Sequence, residues 1–182
     1  MEIEVKARLK DKNAVMEKLR ALGCEFSSVK TQDDMVWVEK TGNLETFLSN
    51  KVFLRIRIQN NEKVIMTAKK PKDPNNAGLV KREHEVVVDS AEEARGVLSL
   101  MGLQEAVRAV KKRQTAKYKE FEICIDEVDN LGSFIEVEKI ADEAEADRAQ
   151  KEMWELLESL GISPDDQVKK GYDILMLEKQ GL

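Results

Sequence analysis

Charge and apolarity alternate residue by residue through much of this chain, and that pattern restricts what it can fold into. In an extended strand successive side chains point to opposite faces, so residues two apart share a face. Residues 2–9 read Glu-Ile-Glu-Val-Lys-Ala-Arg-Leu, which puts Glu2, Glu4, Lys6 and Arg8 on one face and Ile3, Val5, Ala7 and Leu9 on the other. Residues 52–58 set Phe53, Arg55 and Arg57 against Val52, Leu54, Ile56 and Ile58, and residues 64–69 set Ile65, Thr67 and Lys69 against Val64, Met66 and Ala68. Residues 81–88 put Lys81, Glu83 and Glu85 opposite Arg82, His84, Val86 and Val88. Residues 107–113 bring Lys111 and Arg113 to one side, 120–126 set Glu120, Glu122 and Asp126 against Phe121, Ile123 and Ile125, and 134–138 set Glu136 and Glu138 against Ile135 and Val137. A weaker segment at 33–39, centred on Trp37, brings the total to about eight strands, a common number for a closed sheet.

Helical periodicity appears four times. Residues 11–22 begin at a possible Asp11 cap and end at Leu22-Gly23, and residues 91–101 follow Ser90, with Glu93 completing a capping box, and end before Gly102. Residues 142–160 carry Met153, Trp154, Leu156, Leu157 and Leu160 as an apolar stripe ending at Gly161, and a last helix spans residues 172–179. The prolines, Asn-Asn pair and glycine of 69–78 predict a loop. Three Glu-x-Glu strands each precede a helix that ends in an apolar-Gly step, a loose internal repeat. No linker rich in Pro, Ser or Gly divides the chain, so residues 1–182 read as a single domain.

Composition narrows the function classes. Among 182 residues, 36% are charged and 42% hydrophobic, with a net charge of −5, which is globular rather than disordered. No apolar run approaches a membrane span and none opens the chain as a signal peptide, so the expectation is a soluble cytoplasmic protein. Cys24, Cys124 and the single His84 exclude a disulfide framework and a zinc finger. Both thiols read as structural. His84, opposite Glu83 and Glu85, is expected to pack under a helix, the Met153/Trp154/Leu157 stripe to pack in the core, and Tyr172 to dock the last helix in the core or, alternatively, to lie near a tunnel mouth. Short basic runs such as Lys69-Lys70-Pro71-Lys72 suggest nucleic acid, but the negative net charge and the absence of aromatics among them argue against it.

An antiparallel sheet with one solvated face would explain alternation alone. It explains less well why the polar faces are almost wholly ionic and why same-sign charges pair two residues apart, where they repel. The alternative is an α+β fold in which a closed eight-stranded antiparallel β-barrel turns its charge inward and its apolar faces outward under helices. Such burial needs compensation by opposite charge, metal or an ionic ligand. Lys6, Arg8, Arg55, Arg57, Lys69, Lys81, Lys111 and Arg113 suit a polyanion such as polyphosphate. Glu2, Glu4, Glu83, Glu85, Glu122, Asp126, Glu136 and Glu138 suit hard divalent cations, Mg²⁺ or Mn²⁺.

These residues meet a known family. Glu2-Ile-Glu4-Val-Lys6 resembles the Glu-x-Glu-x-Lys signature of the CYTH superfamily, the triphosphate tunnel metalloenzymes. Gln32-Asp33-Asp34, Leu54-Arg55-Ile56-Arg57, Thr67-Ala68-Lys69, Arg82-Glu83-His84-Glu85, Lys111-Lys112-Arg113 and Asp126 through Glu138 resemble its further blocks in order, so the likeness spans residues 2–138. Val36-Trp37 and Gly171-Tyr172 depart from aromatic and Ser-Tyr pairs that many members carry there.

The resemblance implies a triphosphate tunnel with Mg²⁺ or Mn²⁺ on Glu2, Glu4, Asp126, Glu136 and Glu138. It implies phosphate contacts from Lys6, Arg55, Arg57, Lys69, Lys81, Lys111 and Arg113, with Glu83 and Glu85 as acids of the substrate site. Lys6, Arg57, Lys111, Arg113 and Asp126 would be its catalytic residues. The partner is a small-molecule triphosphate (ATP, tripolyphosphate or thiamine triphosphate), and many members are homodimers. Two chemistries remain open. In class IV adenylate cyclases the ribose 3′-hydroxyl of ATP attacks the α-phosphorus and pyrophosphate leaves, and the chain resembles that branch most in length and motif spacing. In triphosphatases water attacks the terminal phosphorus. A non-catalytic polyphosphate-binding module is the remaining reading, and the intact acidic set disfavours it.

Overall fold

The alternating segments form strands, and the periodic ones form helices. The computed structural model describes residues 2–39, 53–71 and 81–181. In chain order these are β1 (Glu2–Leu9), α1 (Lys12–Ala21), β2 (Lys30–Glu39), β3 (Phe53–Gln59), β4 (Lys63–Pro71), β5 (Lys81–Val88), α2 (Ala91–Leu100), β6 (Leu103–Tyr118), β7 (Phe121–Val128), β8 (Gly132–Ile140), α3 (Ala146–Ser159) and α4 (Tyr172–Lys179). The strands make an eight-stranded antiparallel sheet in the order β1-β8-β7-β6-β2-β3-β4-β5. Among the described residues this hydrogen-bonded order ends at β1 and at β5, without the closing ladder that a barrel adds. No helix among the described residues is long and apolar enough to cross a membrane.

Several boundaries differ from expectation. The sixth strand runs sixteen residues rather than seven, because the mixed polarity of Gln114-Thr115-Ala116-Lys117-Tyr118 hides its outer half from a period-two pattern. The fourth strand continues to Pro71, into the segment expected to be loop; residues 72–78 of that expectation lie outside the described residues. The third helix starts at Ala146, with a 3-10 turn at Glu143–Glu145 before it. Asp11 and Ser90 cap α1 and α2 as predicted, accepting from the Ala14 and Glu93 amides at 3.0 and 3.2 Å.

The backbone divides into two compact units, residues 1–30 with 112–170, and residues 31–111 with 171–182. In the first, Ile3, Val5, Ala7 and Leu9 of β1, Ile123 and Ile125 of β7, and Ile135 and Val137 of β8 pack against Val15, Met16 and Leu19 of α1 and Ala149, Met153, Leu156 and Leu157 of α3. This is the apolar face of the alternation, covered by helices. Its helices stop where the chain turns left-handed: Gly23 and Gly161 have φ of +87° and +88°, and the amides after them return to the Leu19 and Leu157 carbonyls at 3.0 Å.

In the second unit Met35, Trp37, Ile56 and Val64 pack with Ala94 and Leu98 of α2. Val36 turns the other way, and packs with Val107 of β6 and with Met176 and Leu177 of α4. His84 is exposed opposite Ala68 on β4, not under a helix as expected. Its strand lies at an end of the sheet order, and Val86 and Val87 beside it are also more than half exposed.

Candidate metal and phosphate sites

The face of the first unit that turns away from its helices is built by register. Glu4 and Lys6 of β1 pair with Glu138 and Glu136 of β8, which pair in turn with Glu122 and Cys124 of β7. Four predicted site carboxylates, Glu4, Asp126, Glu136 and Glu138, thereby gather around two predicted cations. Lys6 Nζ lies 3.0 Å from Glu4 Oε1 and 3.1 Å from Glu136 Oε1. The Arg113 guanidinium forks onto Asp126, donating from Nε at 2.7 Å and from an Nη at 2.5 Å, and the same Nη bonds Glu136. Glu138 Oε1 stands 4.0 Å from Arg113.

Burial is deep: Asp126 is 0% exposed and Glu136 5%. Burial works against the Lys6 charge, but Glu136 and Glu4 outweigh it and push its pKa up to about 12. Arg113 is likewise held above its ordinary value, its burial outweighed by Asp126 and Glu136. The four carboxylates are hard oxygen donors. That donor set fits Mg²⁺ or Mn²⁺, which take carboxylate oxygens. Glu4 and Glu138 would hold the ion, with Glu122 and Cys124 already close enough to Glu138 to share one, while both oxygens of Asp126 are engaged by Arg113 and those of Glu136 by Lys6 and Arg113. The predicted roles of the Glu2 and Lys81 side chains lie outside the described side chains.

The second unit gathers basic side chains around Asp34. Arg57 donates to Asp34 through Nε at 2.6 Å and an Nη at 2.7 Å, and Arg55 reaches the same carboxylate at 3.8 Å. Arg55 also donates to the Thr67 hydroxyl at 3.2 Å, and that hydroxyl donates to Glu85 at 2.9 Å. Lys69 pairs with Glu83 at 2.7 Å. Lys111, only 4% exposed, sits with its ammonium 4.8 Å from the centre of the Tyr172 ring. Among the buried groups, Asp34 faces Arg55, Arg57 and Lys111, and their influence lowers its pKa despite burial. Arg55 falls below its ordinary value, through burial and the like charge of Arg57, even with Asp34 beside it. Its buried Nε has no hydrogen-bond partner among the described residues. Its guanidinium also lies 3.5 Å from Glu85, and the unused Nε donor is a ready contact for an anion.

Predicted Arg55, Arg57, Lys69, Glu83, Glu85 and Lys111 are thus gathered in one unit, and predicted Lys6, Arg113, Glu4, Asp126, Glu136 and Glu138 in the other. Four contributors carry roles that the sequence did not assign. Asp34 fixes both arginines and Thr67 links Arg55 to Glu85. Tyr172 lies over Lys111. Cys124, read as an ordinary structural thiol, belongs to the charged face, 4.0 Å from Glu138. Strand parity with Gln32 and Val36 was the available signal for Asp34 over Asp33. Nothing local pairs Tyr172 with a lysine 61 positions earlier.

Known proteins extend these observations. The CYTH domain family model matches residues 1–172. A Methanocaldococcus jannaschii protein named "Putative adenylate cyclase MJ0240" is 34% identical over 183 residues, covering 100% of this chain and 99% of the relative. The solved structure of the PH1819 protein from Pyrococcus horikoshii OT3 is similar with a TM-score of 0.81 and 28% identity, over 98% of this chain and 99% of that one. A Hippeastrum protein described as a "putative adenylyl cyclase" with a dominant triphosphatase activity shares the fold, with a TM-score of 0.70 and 20% identity over 100% and 96% of the two chains. With its ordered charged strands and a match over nearly its whole length, the chain belongs to the CYTH domain family.

Proposed function

We propose that the protein is a divalent-metal-dependent enzyme acting on a small-molecule triphosphate, with class IV adenylate cyclase-like conversion of ATP to cyclic AMP and pyrophosphate as the first reading. The observation that carries it is the pair of charged clusters: Glu4, Asp126, Glu136 and Glu138 around Lys6 and Arg113, and Arg55, Arg57 and Lys111 around Asp34. A metal–triphosphate complex offers a cation to the carboxylates and an anion to the basic side chains. Sequence likeness over the full chain to a relative bearing an adenylate cyclase name supports the choice of reaction. Hydrolysis of the terminal phosphate, of tripolyphosphate or thiamine triphosphate, is the second reading, favoured by the activity of the Hippeastrum relative. The closed eight-stranded tunnel and the homodimer that the family resemblance implies are part of this proposal, and light scattering after size exclusion checks the second.

Bound Mg²⁺ or Mn²⁺ would neutralise phosphate charge and polarise a phosphoryl oxygen. The chain's own part is to grip and orient. Arg55, Arg57, Lys69 and Lys111 bind phosphate oxygens, and Asp34 holds the two guanidinium groups in place. Lys6 and Arg113 stabilise charge that develops during an in-line displacement. Asp126 acts here by fixing Arg113.

Product analysis tests the proposal. The protein is incubated with ATP, tripolyphosphate and thiamine triphosphate, each with Mg²⁺ or Mn²⁺, and followed by phosphorus NMR. Cyclic AMP with pyrophosphate supports the first reading; orthophosphate without cyclic AMP supports the second; no turnover of any substrate overturns both. Glu136→Ala should lower metal-dependent turnover by about 100-fold or more. Its circular dichroism should persist, because Lys6 keeps Glu4 and Arg113 keeps Asp126.

A further inference from the structure

We propose that Gln32 is a specificity residue, its side-chain oxygen accepting a hydrogen bond from a hydroxyl or amine of the organic group that carries the phosphates. This rests on the triphosphate reading of the site and narrows the substrate to an organic triphosphate rather than bare tripolyphosphate.

Gln32 lies on β2 two residues before Asp34, so both side chains share the charged face, about 7 Å apart along the strand. Register pairs Asp34 with Arg57 and Gln32 with Gln59, which makes the two glutamines the next rung beyond the Asp34–Arg57 pair. Gln32 is 5% exposed and donates through Nε2 to Gln59 Oε1 at 3.3 Å. Its own Oε1 is buried without a hydrogen-bond partner among the described residues, as is Arg55 Nε on the same face. Leaving a buried carbonyl oxygen unmet is costly, and the one bond to a partly exposed Gln59 returns little of that cost. An apolar side chain of the same length would pack there without it. Exchanging oxygen and nitrogen in both amides would bury an unpaired NH₂ instead, the costlier orphan.

The two unpaired atoms ask for opposite things. Arg55 Nε has a proton to give and suits a phosphate oxygen. Gln32 Oε1 has lone pairs to fill and needs a donor. Ionised tripolyphosphate brings acceptors only. A triphosphate joined to a sugar or heterocycle brings both kinds of group, phosphate oxygens and, beyond them, hydroxyl or amine donors. With phosphates on Arg55 and Arg57, the neighbouring rung at Gln32 is left for the organic group. A ligand without a donor would leave the oxygen unmet in the complex, so Gln32 selects by exclusion as well as by attraction.

Calorimetry on the full chain with Mg²⁺ tests this, using the bis-methylene analogues of ATP and of tripolyphosphate, which neither cyclise nor hydrolyse. Gln32→Met should weaken binding of the ATP analogue about 5- to 10-fold and leave the tripolyphosphate analogue within about twofold of the parent. Gln32→Leu is the second apolar replacement, should the first fold poorly. Matching deletions come from the ligand: a dideoxy form lacks the sugar hydroxyls, and a form with unsubstituted purine lacks the exocyclic amine. On the parent, one of these should lose as much affinity as Gln32→Met does, and on Gln32→Met that same deletion should cost little more. Such coupling names the donor, and a residue that only supports the fold would not show it. Equal losses for the two analogues in Gln32→Met, or ligand deletions whose losses simply add to it, would overturn the proposal. Failure of the parent to bind either analogue would remove the triphosphate reading and this inference with it. Binding of the tripolyphosphate analogue, with binding of the ATP analogue absent or indifferent to Gln32, would remove this inference alone.

Discussion

A buried lysine between two glutamates has a stability that depends on its own protonation. Lys6 titrates near 10.5 in an unfolded chain and at about 12 here. The folded state therefore holds its proton more tightly, so this contribution is complete below pH 10.5 and drains away as pH rises through 12. An elevation of that size corresponds to about 2 kcal/mol. Urea titrations of the parent and of Lys6→Met should give a stability difference that is constant from pH 7 to 10 and shrinks between pH 10.5 and 12. A constant difference through pH 12 would show that the Glu4 and Glu136 contacts do not raise Lys6. Residue types at this scale were legible because chemistry is written in them: Glu4, Lys6, Arg57, Arg113 and Glu136 all lie on charged faces. Partners were not legible, since Asp34 with Arg57 and Arg113 with Asp126 depend on strand register. The exposure of His84 was missed for a related reason: alternation gives its face but not whether a helix lies over that face.

Elements were read best where local signals agreed. Asp11 and Ser90 are seen as caps in the sequence and act as caps in the structure, and β1, β5 and α4 keep their predicted bounds. The outer half of β6 was missed because its side chains alternate poorly in polarity and only neighbouring strands define it as extended. Ser90→Ala removes one acceptor from the first turn of α2, and should destabilise the protein by about 1 kcal/mol in thermal or urea unfolding. Because α2 covers the apolar face carrying Ile56 and Val64, not the face carrying Arg55 and Arg57, tripolyphosphate affinity should be unchanged.

For the whole molecule, a net charge of −5 says little about ligand preference, because buried carboxylates and buried basic side chains are gathered into local clusters. An acidic chain can still bind a polyanion where basic side chains are gathered together. Mg²⁺ and tripolyphosphate should accordingly bind with positive coupling: together they should raise the melting temperature by more than the sum of their separate shifts. Additive shifts would indicate independent sites and count against a shared metal–triphosphate complex. The alternation foretold the sheet and the charged faces, but not which strands neighbour one another across the long excursion from β2 to β6. That order arises from contacts distant in sequence.

Cys124 gives the charged face a built-in vibrational reporter. Its thiol is wholly buried, and burial with the nearby carboxylates pushes its pKa up, so the sulfur keeps its hydrogen. Cys24 is buried instead among the apolar side chains of the first unit. The S–H stretching band of a thiol moves with local electric field, so infrared spectra should resolve two bands, assignable by Cys24→Ala. Adding Mn²⁺ should move the Cys124 band, which lies beside Glu138, and leave the Cys24 band still. The protein would then signal occupation of its acidic face through a native bond, with no label attached.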